Sequence, residues 1–114
     1  MSWRGQINDT GWITPTLING WLQYGAGWDT IAYRRLNGVV HLKGLMKSGT
    51  INAAAFVLPA GFRPGGLRMF APASNAGGTV TATRCDIDNL GNVNPQAGTN
   101  VAYSLSGICF PAEN

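Results

Sequence analysis

The residues that could take part in catalysis are few and widely separated along the chain. His41 is the only histidine among 114 residues, and the acidic side chains are four aspartates and Glu113. A serine, histidine and acid triad would have to use His41, and no Gly-x-Ser-x-Gly nucleophile elbow is present. We therefore expect a protein that is not an enzyme.

Metal binding is also weakly indicated. One histidine and two cysteines without a Cys-x-x-Cys pair argue against zinc. The segment from Asp86 to Gly91 begins like a calcium loop, but its twelfth position is Ala97, where a bidentate acid is needed. A hairpin turn in which Asp88 or Asn89 caps its own backbone explains these residues better. We expect no metal and no cofactor.

The residues that best fit a binding site are Tyr24, Trp28 and Asp29. Residues 25–27 are Gly-Ala-Gly, which indicates a loop that presents an aromatic ring beside an acid. Such a ring can stack on the apolar face of a sugar while the acid bonds to its hydroxyl groups. The sequence therefore predicts a ligand-binding loop, with a saccharide as the expected ligand class.

The tryptophans also allow a second interpretation. All four lie within the first 28 residues, and their surroundings do not match well enough to form a repeat. Trp12, Trp21 and Trp28 could instead fill the ends of a folded core or a subunit interface. This is the favoured interpretation, most strongly for Trp12 and Trp21.

A β-hairpin is predicted from residues 31–36 and 39–47, joined by the Asn37-Gly38 dipeptide that a type I′ turn prefers. The two-residue turn pairs Tyr33 with Leu42. Side chains alternate across a strand, so one face is assigned to the core: Ile31, Tyr33, Val40, Leu42 and Met46. The opposite face is either solvated or a subunit interface, and it carries Arg34, Leu36, Val39, His41 and Lys43.

The composition as a whole indicates an all-β domain. Sixteen glycines and six prolines, with few charged residues and no helical periodicity, favour many short strands joined by turns. The predicted strands include residues 67–71, 79–87 and 100–110, with a loop at 72–78. We expect a single antiparallel β-sandwich of jelly-roll type with eight or nine short strands.

Charge and hydropathy exclude several partners. The net charge is +3, and the basic residues are spread along the chain without a basic run, so we expect no nucleic acid. No apolar run is long enough to span a bilayer, so we expect no membrane insertion. Cys85 and Cys109 lie in separate predicted strands. We expect two small buried thiols, although a disulfide between them is geometrically conceivable.

Four ordered motifs carry a family resemblance. They are Asn19-Gly20-Trp21, Tyr33-Arg34, the Gly-Val-Val-His-Leu-Lys-Gly run at 38–44 and the Leu-Pro-Ala-Gly-Phe-Arg-Pro run at 58–64. In this order they resemble the C-terminal tip or head domains of tailed-bacteriophage tail fibre, receptor-binding, baseplate and minor tail proteins. The resemblance covers about residues 12 to 110.

The resemblance implies a β-sandwich tip domain at residues 12–114, preceded by an N-terminal extension or connection at residues 1–11. It implies a homotrimer in the virion, at the tip of a phage tail or baseplate, made in the host cytoplasm. Its implied function is host cell attachment by non-enzymatic binding of a bacterial cell-surface saccharide. The shared motifs are turns and corners, so no binding residue is carried over from the family.

Two alternatives remain. The first is a structural module that trimerises or caps a tail fibre and has no ligand of its own. The second is a lectin-like domain of cellular origin.

Overall fold

A computed structural model describes residues 9–114 of the chain. The regular elements in this range are β-strands, in antiparallel pairs. They are β1 (Leu22–Gln23), β2 (Ala32–Leu36), β3 (Val39–Lys43), β4 (Leu45–Lys47), β5 (Phe56–Val57), β6 (Arg68–Phe70), β7 (Ser74–Ala76), β8 (Thr79–Thr81), β9 (Arg84–Ile87), β10 (Asn92–Ala97), β11 (Tyr103–Ser104) and β12 (Cys109–Pro111). None of these residues forms a helix of the length and apolarity that a membrane crossing requires.

The strands form three sheets. The five-stranded sheet has the order β1-β4-β11-β7-β8, the four-stranded sheet β5-β10-β9-β6, and the three-stranded sheet β12-β3-β2. This arrangement confirms the all-β, antiparallel, sandwich-like fold predicted from the sequence. The described residues form twelve short strands, however, where eight or nine were predicted.

The larger number of strands has a single main cause. Three segments predicted as continuous strands each divide between two sheets. Residues 39–47 divide into β3 and β4, residues 79–87 into β8 and β9, and residues 100–110 into β11 and β12. Period-2 alternation continues through such a break, so the pattern alone does not reveal it.

The break between β3 and β4 has a steric origin at Gly44. This residue has a φ of +107°, in the left-handed region that L side chains rarely adopt. A Cβ atom here would also overlap the backbone of Thr30 and Ile31. Only glycine lets the chain cross so close to the start of β2 as it leaves one sheet for another.

The predicted loop at residues 72–78 is wrong in part. Ser74–Ala76 is strand β7, and it pairs with β8 in a hairpin. The two-residue turn is Gly77-Gly78, whose φ angles of 59° and 86° suit a type I′ turn. The sequence signal was present in this glycine pair, but β7 itself is polar and short.

The hairpin of β2 and β3 is confirmed with the predicted register. Tyr33 pairs with Leu42, and Arg34 pairs with His41. The turn residues Asn37 and Gly38 have φ angles of 50° and 83°, as the dipeptide requires. The five side chains assigned to the core are all buried: Ile31, Tyr33, Val40, Leu42 and Met46.

The centre of the core is built around Trp21 and Tyr103, both almost completely buried. Their rings meet edge to face with centroids 5.8 Å apart. The Tyr103 hydroxyl lies 3.0 Å from the carbonyl oxygen of Arg84 and 3.2 Å from that of Ala97. Burial raises the pKa of this phenol, which keeps it in the neutral, donating form. Trp21 therefore fills the core as predicted.

The boundary predicted at residue 12 falls inside a contact with β2. Residues 1–8 of the predicted extension lie outside the described residues. Asp9 forms a β-bridge with Leu36, and the Thr10 N–H donates to the Arg35 carbonyl at 3.1 Å. Asp9 and Thr10 therefore contact β2, and the domain boundary at residue 12 stays a prediction.

The first prediction concerns Gly49, whose Cα lies against the Trp21 indole ring. A methyl group at this position would overlap the ring atoms, so Gly49→Ala should lower the free energy of unfolding by at least about 2 kcal/mol through overpacking. Urea denaturation measures the change. Gly66→Ala is the matched control, because a Cβ there meets nothing within 4 Å; equal stability of the two variants would contradict the prediction.

The second prediction concerns the two thiols, which are both free. Cys85 is buried as expected, and burial, with a contribution from Asp86, raises the pKa of its thiol to about 12. The expectation for Cys109 was wrong, because its strand turns the side chain to solvent. Native protein at pH 7.5 should therefore react with one equivalent of maleimide, and unfolded protein with two. Cys109→Ser should abolish native labelling; labelling of that variant would contradict the assignment.

Candidate functional site

The loop that presents Trp28 is a tight turn enforced by glycine. The Trp28 N–H donates to the Gly25 carbonyl oxygen at 3.0 Å. Gly25, Ala26 and Gly27 all have positive φ, at 75°, 53° and 84°, a run that only glycine-rich sequence adopts without strain. As a result the Trp28 side chain projects from the domain and is 62% exposed.

Tyr24 packs beside Trp28 and holds its orientation. The two rings meet edge to face, with centroids 6.3 Å apart and planes at 86°. On Tyr24 itself, the Lys47 ammonium lies 5.4 Å from the ring centroid. The two rings therefore form an exposed aromatic corner, stabilised by their mutual contact and by Lys47.

Asp29 anchors the same loop to strand β3. Its Oδ1 atom accepts a hydrogen bond from Lys43 Nζ at 2.6 Å and one from the Thr30 N–H at 3.0 Å. The hydrogen bond from Lys43 lowers the pKa of the Asp29 carboxyl, so this group is a carboxylate at neutral pH. The Asp29 carbonyl in turn accepts the Leu45 N–H at 3.0 Å.

Tyr24, Trp28 and Asp29 border a groove of about 580 Å³ on the outer face of the five-stranded sheet. Its floor comes from the centre of that sheet, where Ala102, Ser104 and Ser106 line it. The structure thus brings together the three residues predicted as a binding site.

The floor of the groove lies below its walls because the residues of the 102–106 segment that line it have small side chains, while the large side chains between them point into the core. Tyr103 and Leu105 point inward and are fully buried. Ala102, Ser104 and Ser106 consequently face outward. Larger side chains stand on the neighbouring strands, such as Leu45 opposite Ser104. A run of small residues at every second position was the sequence signal for this floor.

The far wall of the groove is the β7–β8 hairpin. Asn75 pairs with Val80, and both line the groove. Val80 is 73% exposed, while the Asn75 side-chain oxygen accepts the Gly78 N–H at 2.9 Å. The Asn75 amide nitrogen is therefore the end of that side chain able to donate to a ligand. Sequence reasoning missed this wall because residues 72–78 were interpreted as a loop.

The second predicted candidate is the outer face of the three-stranded sheet. Its members occupy one face as predicted: Arg34, Leu36, Val39, His41 and Lys43. Strand β12 extends the rows of this face, with Cys109 opposite His41 and Pro111 opposite Val39.

The charges of that face are paired within the chain. Arg34 Nε donates to Asp9 Oδ1 at 3.1 Å, and Lys43 pairs with Asp29. The apolar end at Leu36 and Val39 is half-buried.

The residues from Asp88 to Asn92 form a hairpin turn, as predicted, and the two residues before them belong to β9. Asp86 is buried and pairs with Arg84 at 2.8 Å. The Asp88 carboxylate accepts the N–H groups of Leu90 and Asn92, both at 3.0 Å. Within residues 9–114, no cluster of three or more histidine, cysteine or acidic side chains could hold a metal ion.

A larger groove, of about 700 Å³, is less suited to a ligand. It is polar, and it lies between Asp9, Glu113 and the Arg35 side chain. The Arg35 guanidinium already donates to the Gly61 carbonyl at 2.5 Å and stacks 4.8 Å from the Phe62 centroid. The Arg35 guanidinium thus already has partners, and no aromatic ring among the described residues lines this larger groove. The groove bordered by Tyr24, Trp28 and Asp29 (the Trp28 groove) is therefore the better candidate.

The fold is similar to that in the crystal structure of the receptor binding protein (gp15) of Listeria phage PSA. The TM-score is 0.73 at 16% sequence identity, and the match covers 95% of this chain and 66% of that one. The chain thus spans slightly less than two thirds of the length of the phage protein. No family model matches the sequence, and no curated protein matches it. At this identity the likeness is one of fold, and at that level the resemblance to phage receptor-binding and tail proteins is confirmed.

Proposed function

We propose that this chain is a receptor-binding domain of a phage tail that binds a saccharide on the bacterial surface through the Trp28 groove. The observation that carries the proposal is the presentation of Trp28, 62% exposed, at the edge of a groove. The similarity of the fold to a phage receptor binding protein supports the virion tail tip as its location. Synthesis would then take place in the host cytoplasm.

The groove has the mixed chemistry that a sugar requires. The apolar face of a pyranose can stack on Trp28, while its hydroxyl groups donate to the Asp29 carboxylate. At the floor, Ser104 and Ser106 supply hydroxyl groups, and Asn75 supplies an amide from the far wall. Because these groups come from separate strands and turns, they surround a ligand rather than line one edge.

Binding without catalysis is part of the proposal. Glycoside hydrolysis ordinarily uses two carboxyl groups, one on each side of the scissile bond. Among the described residues, Asp29 is the acid that lines the groove. Its hydrogen bond to Lys43 and lowered pKa favour a fixed acceptor over a proton donor.

The third prediction tests the groove. Trp28→Ala should weaken binding to isolated bacterial wall polysaccharides and to whole cells by about 30-fold, because an exposed tryptophan is the typical dominant contact of such a site. A panel of fluorescently labelled cells and immobilised polysaccharides gives the affinities. The polysaccharide recovered from the complex should keep its chain length.

Leu90→Ala is the control for that experiment. Leu90 is 64% exposed, close to the 62% of Trp28, but it lies in the turn after β9 and does not line the groove. The Leu90→Ala substitution should leave binding to cells and polysaccharides unchanged. Equal binding by the Trp28→Ala and wild-type proteins would reject the groove. If the wild-type protein binds no cell or polysaccharide, the domain is better explained as a structural cap of the fibre.

We also propose that the domain assembles as a homotrimer through the apolar end of the three-stranded sheet. Leu36, Val39 and Pro111 form one cross-strand row there, next to the exposed Asn37-Gly38 turn. A row of apolar side chains on an outer sheet face is suited to burial against another copy. The paired charges of Arg34 and Lys43 leave this row as the uncharged part of the face.

The fourth prediction tests this interface. Val39→Glu should convert a trimer to a monomer, because a carboxylate would be buried without a partner. Light scattering at micromolar concentration measures the mass. Val57→Glu, at an exposed position of β5, should remain trimeric. A monomeric wild-type protein, or a trimeric Val39→Glu variant, would contradict the proposal.

A further inference from the structure

Trp12 is exposed on the outward-facing side of an extended segment, where a polar residue is expected. Along residues 12–17, exposed and half-buried side chains alternate. Ile13 and Leu17 pack against the core, which turns Trp12 and Thr14 outward. Trp12 is 45% exposed, whereas Trp21 is 1% exposed. The interpretation of Trp12 as a filler of this chain's own core is therefore wrong.

The backbone on both sides of Trp12 is tied to β2. The Ile13 N–H donates to the Tyr33 carbonyl at 2.8 Å, and the Tyr33 N–H donates back to Ile13 at 2.9 Å. Three residues before Ile13, the Thr10 N–H donates to the Arg35 carbonyl at 3.1 Å. The backbone that carries Trp12 is therefore already ordered by pairing with β2, so binding of a ligand to the ring does not have to order it.

Two cations approach the Trp12 ring, and each is paired with an acid. The Arg34 guanidinium lies 5.0 Å from the ring centroid and the Lys43 ammonium 5.2 Å from it. Arg34 pairs with Asp9, and Lys43 pairs with Asp29 at 2.6 Å. The two cations lie over the ring, each with its carboxylate partner, so these two pairs add no net charge there.

Lys43 joins this ring to the groove. Its ammonium contacts both the Trp12 ring and Asp29, and Asp29 lines the groove next to Trp28. Trp12 and Trp28 are therefore linked through one ion pair: Lys43 contacts the Trp12 ring, and its partner Asp29 is the next residue after Trp28.

We propose that Trp12 is a second aromatic subsite, so that the ligand is a linear saccharide chain spanning both tryptophans rather than a single terminal sugar. The inference rests on the proposed function of the Trp28 groove. Trp12 is 45% exposed, with Arg34 and Lys43 over its ring; an exposed ring next to ion-paired, hydrogen-bonding side chains suits the apolar faces and hydroxyl groups of sugars. Lys43 and the two paired aspartates are of residue types that protein interfaces are depleted of, which favours a saccharide as the occupant.

The test uses fragments of graded length. Mild hydrolysis of the bound wall polysaccharide, followed by gel filtration, provides fragments of one, three and six repeat units. Wild-type affinity should rise with length. Trp12→Ala should bind the shortest fragment like the wild type but bind the longest about three- to tenfold more weakly, the effect of one stacked ring. Trp28→Ala should weaken every length.

Two further variants separate a binding role from a structural one. Trp12→Phe keeps a ring and should retain most of the gain with length, and Leu90→Ala should behave as the wild type. If Trp12→Ala binds the longest fragment like the wild type while Trp28→Ala is weakened, the second subsite is wrong and the groove stands. If Trp28→Ala is unaffected, or the wild-type protein binds no fragment, the proposed function and the subsite both fail. A Trp12→Ala variant with altered molecular mass by light scattering would assign the ring to a subunit contact and overturn the subsite.

Discussion

The close approach of Gly44 to the backbone of Thr30 and Ile31 is the constraint on which the rest of this structure depends. At this point the chain leaves the three-stranded sheet and enters the five-stranded sheet, at a φ of +107° and without room for a Cβ atom. The Gly44 N–H donates to Ser106 Oγ at 3.1 Å, and the Leu105 N–H donates to the Gly44 carbonyl at 2.9 Å. One residue without a side chain thus joins β2, β4 and the last part of the chain, where side-chain bulk would hold the sheets apart.

The candidate site is a consequence of this crossing. Because β3 ends beside Gly44, Lys43 faces the loop before β2 and pairs with Asp29 at 2.6 Å. Because β4 begins there, Leu45 stands beside the small side chains of residues 102–106 and forms one side of the groove. The aromatic corner therefore lies against a low floor. The loop that carries it is held by backbone hydrogen bonds and by one ion pair.

A part of the candidate site could be predicted from the sequence when local interactions form it, and could not when contacts between distant residues form it. Trp28, Tyr24 and Asp29 were identifiable because glycines at 25 and 27 specify a local turn whatever the rest of the chain does. The far wall at Asn75 and Val80 was not, since a short polar strand is stabilised only by its partners. For Trp12 the sequence predicted burial, which is the usual expectation for tryptophan, but the side chain is 45% exposed. Its exposure depends on the pairing of Asp9 and Ile13 with β2, a contact between distant parts of the chain.

The sequence by itself determined the local features: the Asn37-Gly38 turn, the hairpin register, the inward row of Tyr33, Val40 and Leu42, and the exposed loop around Trp28. These follow from φ preferences and from the two-residue period of a strand, which act between neighbours. Only the tertiary structure decided where strands such as residues 39–47 break and which sheet each half joins. That choice depends on steric contacts and hydrogen bonds between residues far apart in the chain, so the groove beside Trp28 exists only once the sheets are assembled.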